Sequence, residues 1–189
     1  VYTGNSAGLG VYDIASNSWT TIPNPLGMGT GDITSDGVRF LYLVVGFNFV
    51  RLEPATSTAM PLAGPPFYFE PWGGMRFLDG VLYAHQGNGR TGFASYDVAA
   101  NTWTLLPSVP GGAGLGAAID PVTHEYYAYG SFGGSNLYHY SIGTGAWSVS
   151  SIPFFQVYDG GMGWLPFPAS GSYFVEGEAG YGFARLITD

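Results

Sequence analysis

The sequence predicts an all-β domain built from repeated four-stranded antiparallel sheets. Three observations predict it: a Tyr–turn–Trp hairpin that recurs, a period of 44 residues between its later copies, and no helix-period apolar pattern anywhere in the 189 residues. Tyr12 and Trp19, Tyr96 and Trp103, and Tyr140 and Trp147 are each seven residues apart. A degenerate copy, Phe49 to Met60, carries Leu52 where the Tyr belongs and has no Trp. The steps from Leu52 to Tyr96 and from Tyr96 to Tyr140 are both 44 residues.

Each marker segment reads as strand, short polar turn, strand, with Asp or Asn at the turn (Asp13, Asn17, Asp97, Asn101). Before each later hairpin lies another aromatic or β-branched run ending in Gly: 38–46, 81–87, 125–130 and 172–177. Asp36-Gly37 and Asp79-Gly80 are hairpin turns into these runs, and Asp120-Pro121 and Ala169-Ser170-Gly171 are longer variants. One more strand precedes each turn. It opens on a small-residue marker, Gly27-Met28-Gly29, Gly74-Met75-Arg76, Gly114-Leu115-Gly116 and Gly161-Met162-Gly163. Strands crowded about a common axis have little lateral room, so these are expected to be the innermost strands.

Each period therefore supplies four strands, inner to outer, and such a repeated sheet is a propeller blade. Residues 1–25 form a partial blade, 26–63, 64–108 and 109–151 a full blade each, and 152–189 a second partial blade, about 4.5 repeats in eighteen strands. The partial blades share their middle strands instead of completing each other. The expectation is a segment of a larger array; a five-bladed ring with two incomplete blades, or strand exchange between copies, are the alternatives.

A Gly-Gly pair followed by a spaced Tyr and Trp resembles the kelch repeat. Gly133-Gly134, Tyr140 and Trp147 fit best, and elsewhere the doublet reads Gly4-Asn5, Gly46-Phe47 and Gly87-Asn88. The resemblance covers essentially the whole chain and implies a kelch-like β-propeller. It also implies that Tyr12, Trp19, Tyr96, Trp103, Tyr140 and Trp147 are packing residues within and between blades.

Charged residues make up only 10% of the chain, with a formal charge of −8, five Arg and no Lys. Nothing resembles the basic stripe a phosphate backbone requires, so nucleic acid is not an expected partner. No apolar run approaches the ~20 residues that cross a bilayer, so no membrane insertion is expected. Cys is absent, which removes disulfides and thiolate chemistry. The kelch-like radical copper oxidases need a Cys-modified Tyr, so that enzyme is not expected here. The Lys-free, Gly- and aromatic-rich composition points to an extracellular or cell-surface setting.

His85, His124 and His139 occupy different structural positions with no metal-ligand spacing, and no nucleophile motif or phosphate-binding loop is present. No catalytic residue, metal or cofactor is expected. Two connections between blades differ from the rest. Pro66 to Met75 contains Phe67, Tyr68, Phe69, Glu70 and Trp72, and Pro153 to Met162 contains Phe154, Phe155, Tyr158 and Asp159. Strand alternation puts these loops on one face with Phe47, Arg90 and Phe132, and leaves the opposite face only short polar turns. The candidate ligand-binding residues are Tyr68, Trp72, Arg90, Phe132, Phe155 and Tyr158, suited to sugar stacking or a protein hot spot.

Three functions follow from this. The first is a non-catalytic module that binds a glycan or protein. The second is a structural subunit of a filament, shell or fibre that self-assembles through open blade edges. The third is the propeller domain of a larger secreted enzyme.

Overall fold

A computed structural model describes residues 2–4, 8–27, 31–130, 135–151, 162–165, 172–175 and 184–187, with backbone alone for 2–4, 115 and the last three segments. The repeated turn forms for two local reasons. The carboxylate Oδ1 of Asp13 accepts from the amides of Ala15 and Ser16 at 2.8 and 3.2 Å, and that of Asp97 from Ala99 and Ala100, both at 2.9 Å. The last turn residue takes positive φ at Asn17 (52°), Ser57 (53°), Asn101 (55°) and Gly145 (70°), a conformation that Asn and Gly tolerate.

The strands form five antiparallel sheets. The first is β1 (Tyr2–Gly4), β2 (Leu9–Asp13) and β3 (Ser18–Ile22). The second is β4 (Asp32–Ser35), β5 (Leu41–Val45), β6 (Asn48–Glu53) and β7 (Thr58–Pro61). The third is β8 (Gly74–Leu78), β9 (Val81–His85), β10 (Phe93–Asp97) and β11 (Thr102–Leu105). The fourth is β12 (Ala113–Asp120), β13 (Glu125–Gly130), β14 (Asn136–Ser141) and β15 (Ala146–Ser151). The fifth is β16 (Met162–Leu165), β17 (Ser172–Val175) and β18 (Ala184–Ile187).

Every sheet is a meander, and β4 packs beside β8, β8 beside β12, and β12 beside β16. First strands gathered about an axis with sheets radiating from it are the arrangement of a propeller. Each central sheet is apolar on both faces because both are covered. Leu41, Leu43, Val50 and Leu52 pack with Leu9 of the first sheet, whereas Tyr42, Val44 and Phe49 pack with Phe69 of the following connection and with Met75, Leu82, Ala84 and Tyr96 of the third sheet. The next interface repeats the plan, with Phe93 among Ala117, Tyr126, Ala128, Tyr138 and Tyr140.

The Tyr and Trp markers bind neighbouring sheets. The Trp103 indole donates to the Ala63 carbonyl and the Trp147 indole to the Pro107 carbonyl, both at 2.7 Å and both 40 residues back. Each Trp leans on its Tyr, with centroids 5.0 Å apart for Tyr96–Trp103 and 5.2 Å for Tyr140–Trp147. A Phe of the preceding sheet meets both rings edge-on: Phe49 at 4.9 and 5.3 Å, Phe93 at 4.8 and 4.8 Å. Asn101 closes the joint, its Oδ1 accepting from the Tyr96 hydroxyl at 2.6 Å and the Ala63 amide at 2.9 Å.

The structure corrects four expectations. Register makes Ile33, Met75 and Ala117 equivalent, so Gly27 of the first small-residue marker precedes β4, and Gly114-Leu115-Gly116 falls where β12 shifts register. The second run starts at Leu41, not Val38, because the Asp36 carboxylate collects the amides of Val38, Arg39 and Phe40 at 2.9, 2.8 and 3.0 Å and holds 36–40 as a loop. The face opposite the long loops carries more than polar turns: Val38 is 93% exposed, and Arg39 and Arg51 lie 4.9 and 4.5 Å from the Phe40 ring centre. Trp19 is 60% exposed although Tyr12, 5.0 Å away, and the Tyr12–Asn17 bond of 2.5 Å reproduce the joint of the later blades.

Candidate functional site

Four loops meet on one face of the sheets, tied by backbone hydrogen bonds. Gly46 and Phe69 exchange a pair at 3.1 and 2.9 Å, the Glu70 amide donates to the Gln86 carbonyl at 2.9 Å, and the amides of Gly89 and Ala113 donate to the carbonyls of Ala113 and Arg90 at 3.1 and 3.0 Å. The bridges Gly46–Phe69 and Arg90–Ala113 stand 44 residues apart on both sides, so the repeat that sets the strands also sets the loops. Second-to-third-strand loops thus join the connections between blades, which puts Phe47, Tyr68, Trp72 and Arg90 on one surface.

Within the aromatic connection the side chains divide. Phe69 is buried and Phe67 packs beside it on the core shared by the second and third sheets. Tyr68 and Trp72 turn outward, 50% and 41% exposed, with Phe47 at 60%. Tyr68 meets Phe47 edge-on, centroids 5.6 Å apart at 83°, and its ring lies over Gly46, where an added Cβ would come within 3.0 Å of it. Gln86 fixes the loop by donating from Nε2 to the Tyr68 carbonyl at 3.1 Å.

Trp72 has φ +64°. A bulky residue in the left-handed region is strained by roughly 1–2 kcal/mol, and such strain concentrates at functional sites. The tight turn closed by the Gly73 amide on the Glu70 carbonyl, 3.3 Å, holds it there. Arg90 is exposed in the neighbouring loop, its amide bonded to the Gly87 carbonyl at 2.9 Å. Of the candidate residues, Phe132, Phe155 and Tyr158 lie outside the described residues.

A second group, illegible in the sequence, sits at the axis. Asp32 Oδ2 accepts from the Met75 amide at 2.6 Å and from Arg76 at 2.8 Å, crossing from the second sheet to the third. His85 Nδ1 and the Tyr126 hydroxyl are 2.7 Å apart, and that hydroxyl donates to the Gly74 carbonyl at 2.8 Å, crossing from the fourth sheet to the third. The Tyr126 hydroxyl thus bridges the His85 imidazole and the Gly74 carbonyl.

Burial, with the nearby Arg76 cation and against the Trp72 carbonyl, pushes His85 down to about 3, and burial drives the Tyr126 phenol up. Both are fully buried and uncharged at neutral pH, so this group joins sheets. His124 is exposed, and His139 is half-buried against the Tyr127 ring, centroids 4.8 Å apart. Among the described residues, no three His, Cys, Asp or Glu side chains converge as metal ligands do.

No protein-family model matches the chain, and no curated protein matches it. Solved structures do. A crystal structure of a nidogen/laminin complex superposes with a TM-score of 0.68 at 11% identity, over 96% of this chain and 72% of that one. At that identity the likeness is one of fold.

Proposed function

We propose that this chain is a non-catalytic recognition module, acting outside the cell or at its surface, that grips a protein or glycan through the loop face bearing Phe47, Tyr68, Trp72 and Arg90. The observation that carries the reading is Trp72, a large half-exposed indole held at φ +64° where the fold itself would be better served by Gly. The superposition on a nidogen/laminin complex supports use of this fold as a docking module. The kelch-like repeat and the Lys-free composition support the same reading.

Panels of glycans and of secreted proteins, screened with the intact chain, identify the ligand. Trp72→Ala and Tyr68→Ala should each weaken that binding by about tenfold or more, as for hot-spot residues, while Val122→Ala, elsewhere on the surface, leaves it unchanged. Unchanged binding in both loop variants would falsify the placement.

A second reading, a structural subunit that self-assembles, is favoured by Trp19. Its Tyr–Asn–Trp joint is formed as in the third sheet, yet the indole is exposed. A second copy seated on that joint would make the mass in solution rise with concentration, and Trp19→Ala would abolish the rise.

A further inference from the structure

We infer, resting on the recognition reading above, that the partner is a protein and that it presents a segment in which a large apolar side chain is followed closely by an aspartate or glutamate. The apolar side chain packs into the corner that Phe47 and Tyr68 form, on the loop face that Trp72 shares, and the carboxylate meets Arg90.

Charge placement points to the acid. The chain carries −8 overall with five Arg and no Lys. Arg39 is taken up by Glu53 and Arg76 by Asp32, both at 2.8 Å, and Arg51 lies against the Phe40 ring on the opposite face. Arg90 is the cation of the four joined loops among the described residues, and it is exposed. Glu70, less exposed, is the one carboxylate of the same four loops among the described residues, so a partner's acid is directed to Arg90 and away from Glu70, and that difference fixes its register.

Ring geometry points to a protein segment. Sugar stacking needs a flat ring face presented to solvent, whereas Phe47 and Tyr68 stand at 83° to each other and form a corner. A corner suits an aliphatic or aromatic side chain. Tyr, Trp and Arg are also the residues that dominate protein hot spots. The loops that present them are bonded backbone to backbone, so the site is formed before the partner arrives.

The test is selection of random displayed peptides of about twelve residues on the intact chain and on its Arg90→Glu and Trp72→Ala variants. The wild type should enrich a large apolar residue with Asp or Glu within a few positions. Arg90→Glu should enrich Lys or Arg in place of the acid, and Trp72→Ala should weaken the wild-type peptide by about tenfold or more. Raising salt from about 0.05 to about 0.5 M should weaken the wild-type pair several-fold but barely affect Arg90→Gln, because an exposed pair is screened.

An enriched motif that depends on Trp72 yet is unchanged in Arg90→Glu overturns this inference and leaves the recognition reading standing. No enrichment at all overturns this inference and leaves the recognition reading to the glycan panel, whereas a motif indifferent to both residues overturns both. Competition by oligogalacturonate at the peptide site makes the ligand an acidic sugar and overturns the assignment to a protein. Far-ultraviolet dichroism and melting of each variant establish that the fold is intact, as expected for exposed positions.

Discussion

Three residues carry chemistry that their types alone do not reveal. Trp72 is strained where Gly would be relaxed, so Trp72→Gly gives up the packing of the indole and relieves roughly 1–2 kcal/mol of backbone strain. His85 is a stability sensor by virtue of burial. An unfolded chain takes up a proton there near pH 6.5, the folded chain only near 3. Between those values the unfolded state binds more protons, so the contribution is complete above about pH 6.5 and is lost as pH falls towards about 3.

The slope approaches about 1.4 kcal/mol per pH unit. Urea unfolding between pH 5 and pH 6.5 should show a shallower decline for His85→Gln, which keeps a hydrogen-bonding side chain beside Tyr126, than for the wild type. Equal slopes would mean that His85 is solvated in the folded protein. Tyr126→Phe should cost about 1–3 kcal/mol, measured at neutral pH, because it removes from the interior the hydroxyl that bridges His85 and the Gly74 carbonyl.

At the scale of the strand, Gly74 is fixed by its neighbours. A Cβ there would stand 2.5 Å from that of Ala117 in the next blade and 2.6 Å from the His85 ring, so Gly74→Ala should destabilise by about 1–3 kcal/mol in chemical unfolding. The joint between outer strands makes a similar demand. Trp103→Phe keeps a ring against Phe49 and Tyr96 but leaves the Ala63 carbonyl without its indole donor, and about 1 kcal/mol should be lost.

How much of this was legible depended on whether the signal was local. The turns were readable because Asp13, Asp97, Asn17 and Asn101 act on residues within a few positions. The inner-strand markers were aligned by composition, and register moved two of the four. Asp32 stands where Gly74 stands one blade later, and β12 shifts register ahead of Ala117. The Asp32–Arg76 and His85–Tyr126 links span 44 and 41 residues between different sheets, and nothing local announces them. Outward placement of Tyr68 beside inward Phe67 and Phe69 was likewise beyond composition, since all three share one run of aromatics.

Across the whole molecule, the aromatic residues fall into two sets. Those on the 44-residue period, Tyr96, Trp103, Tyr140 and Trp147 with Phe49 and Phe93, join one sheet to the next. Phe47, Tyr68 and Trp72 belong to loops and face solvent. On the recognition reading, the first set maintains the propeller and the second set exists for a partner. Thermal unfolding of Trp103→Gly and Trp72→Gly side by side tests that division most directly.

Trp103→Gly should lose about 3–5 kcal/mol, lowering Tm by about 6–20 °C, as expected for removal of a large interlocked ring. Trp72→Gly should stay within about 1 kcal/mol of the wild type, because relief of strain offsets the loss of the indole's packing. A fall in Trp72→Gly as large as that in Trp103→Gly would show Trp72 to be a structural residue and would contradict the assignment of its face to recognition.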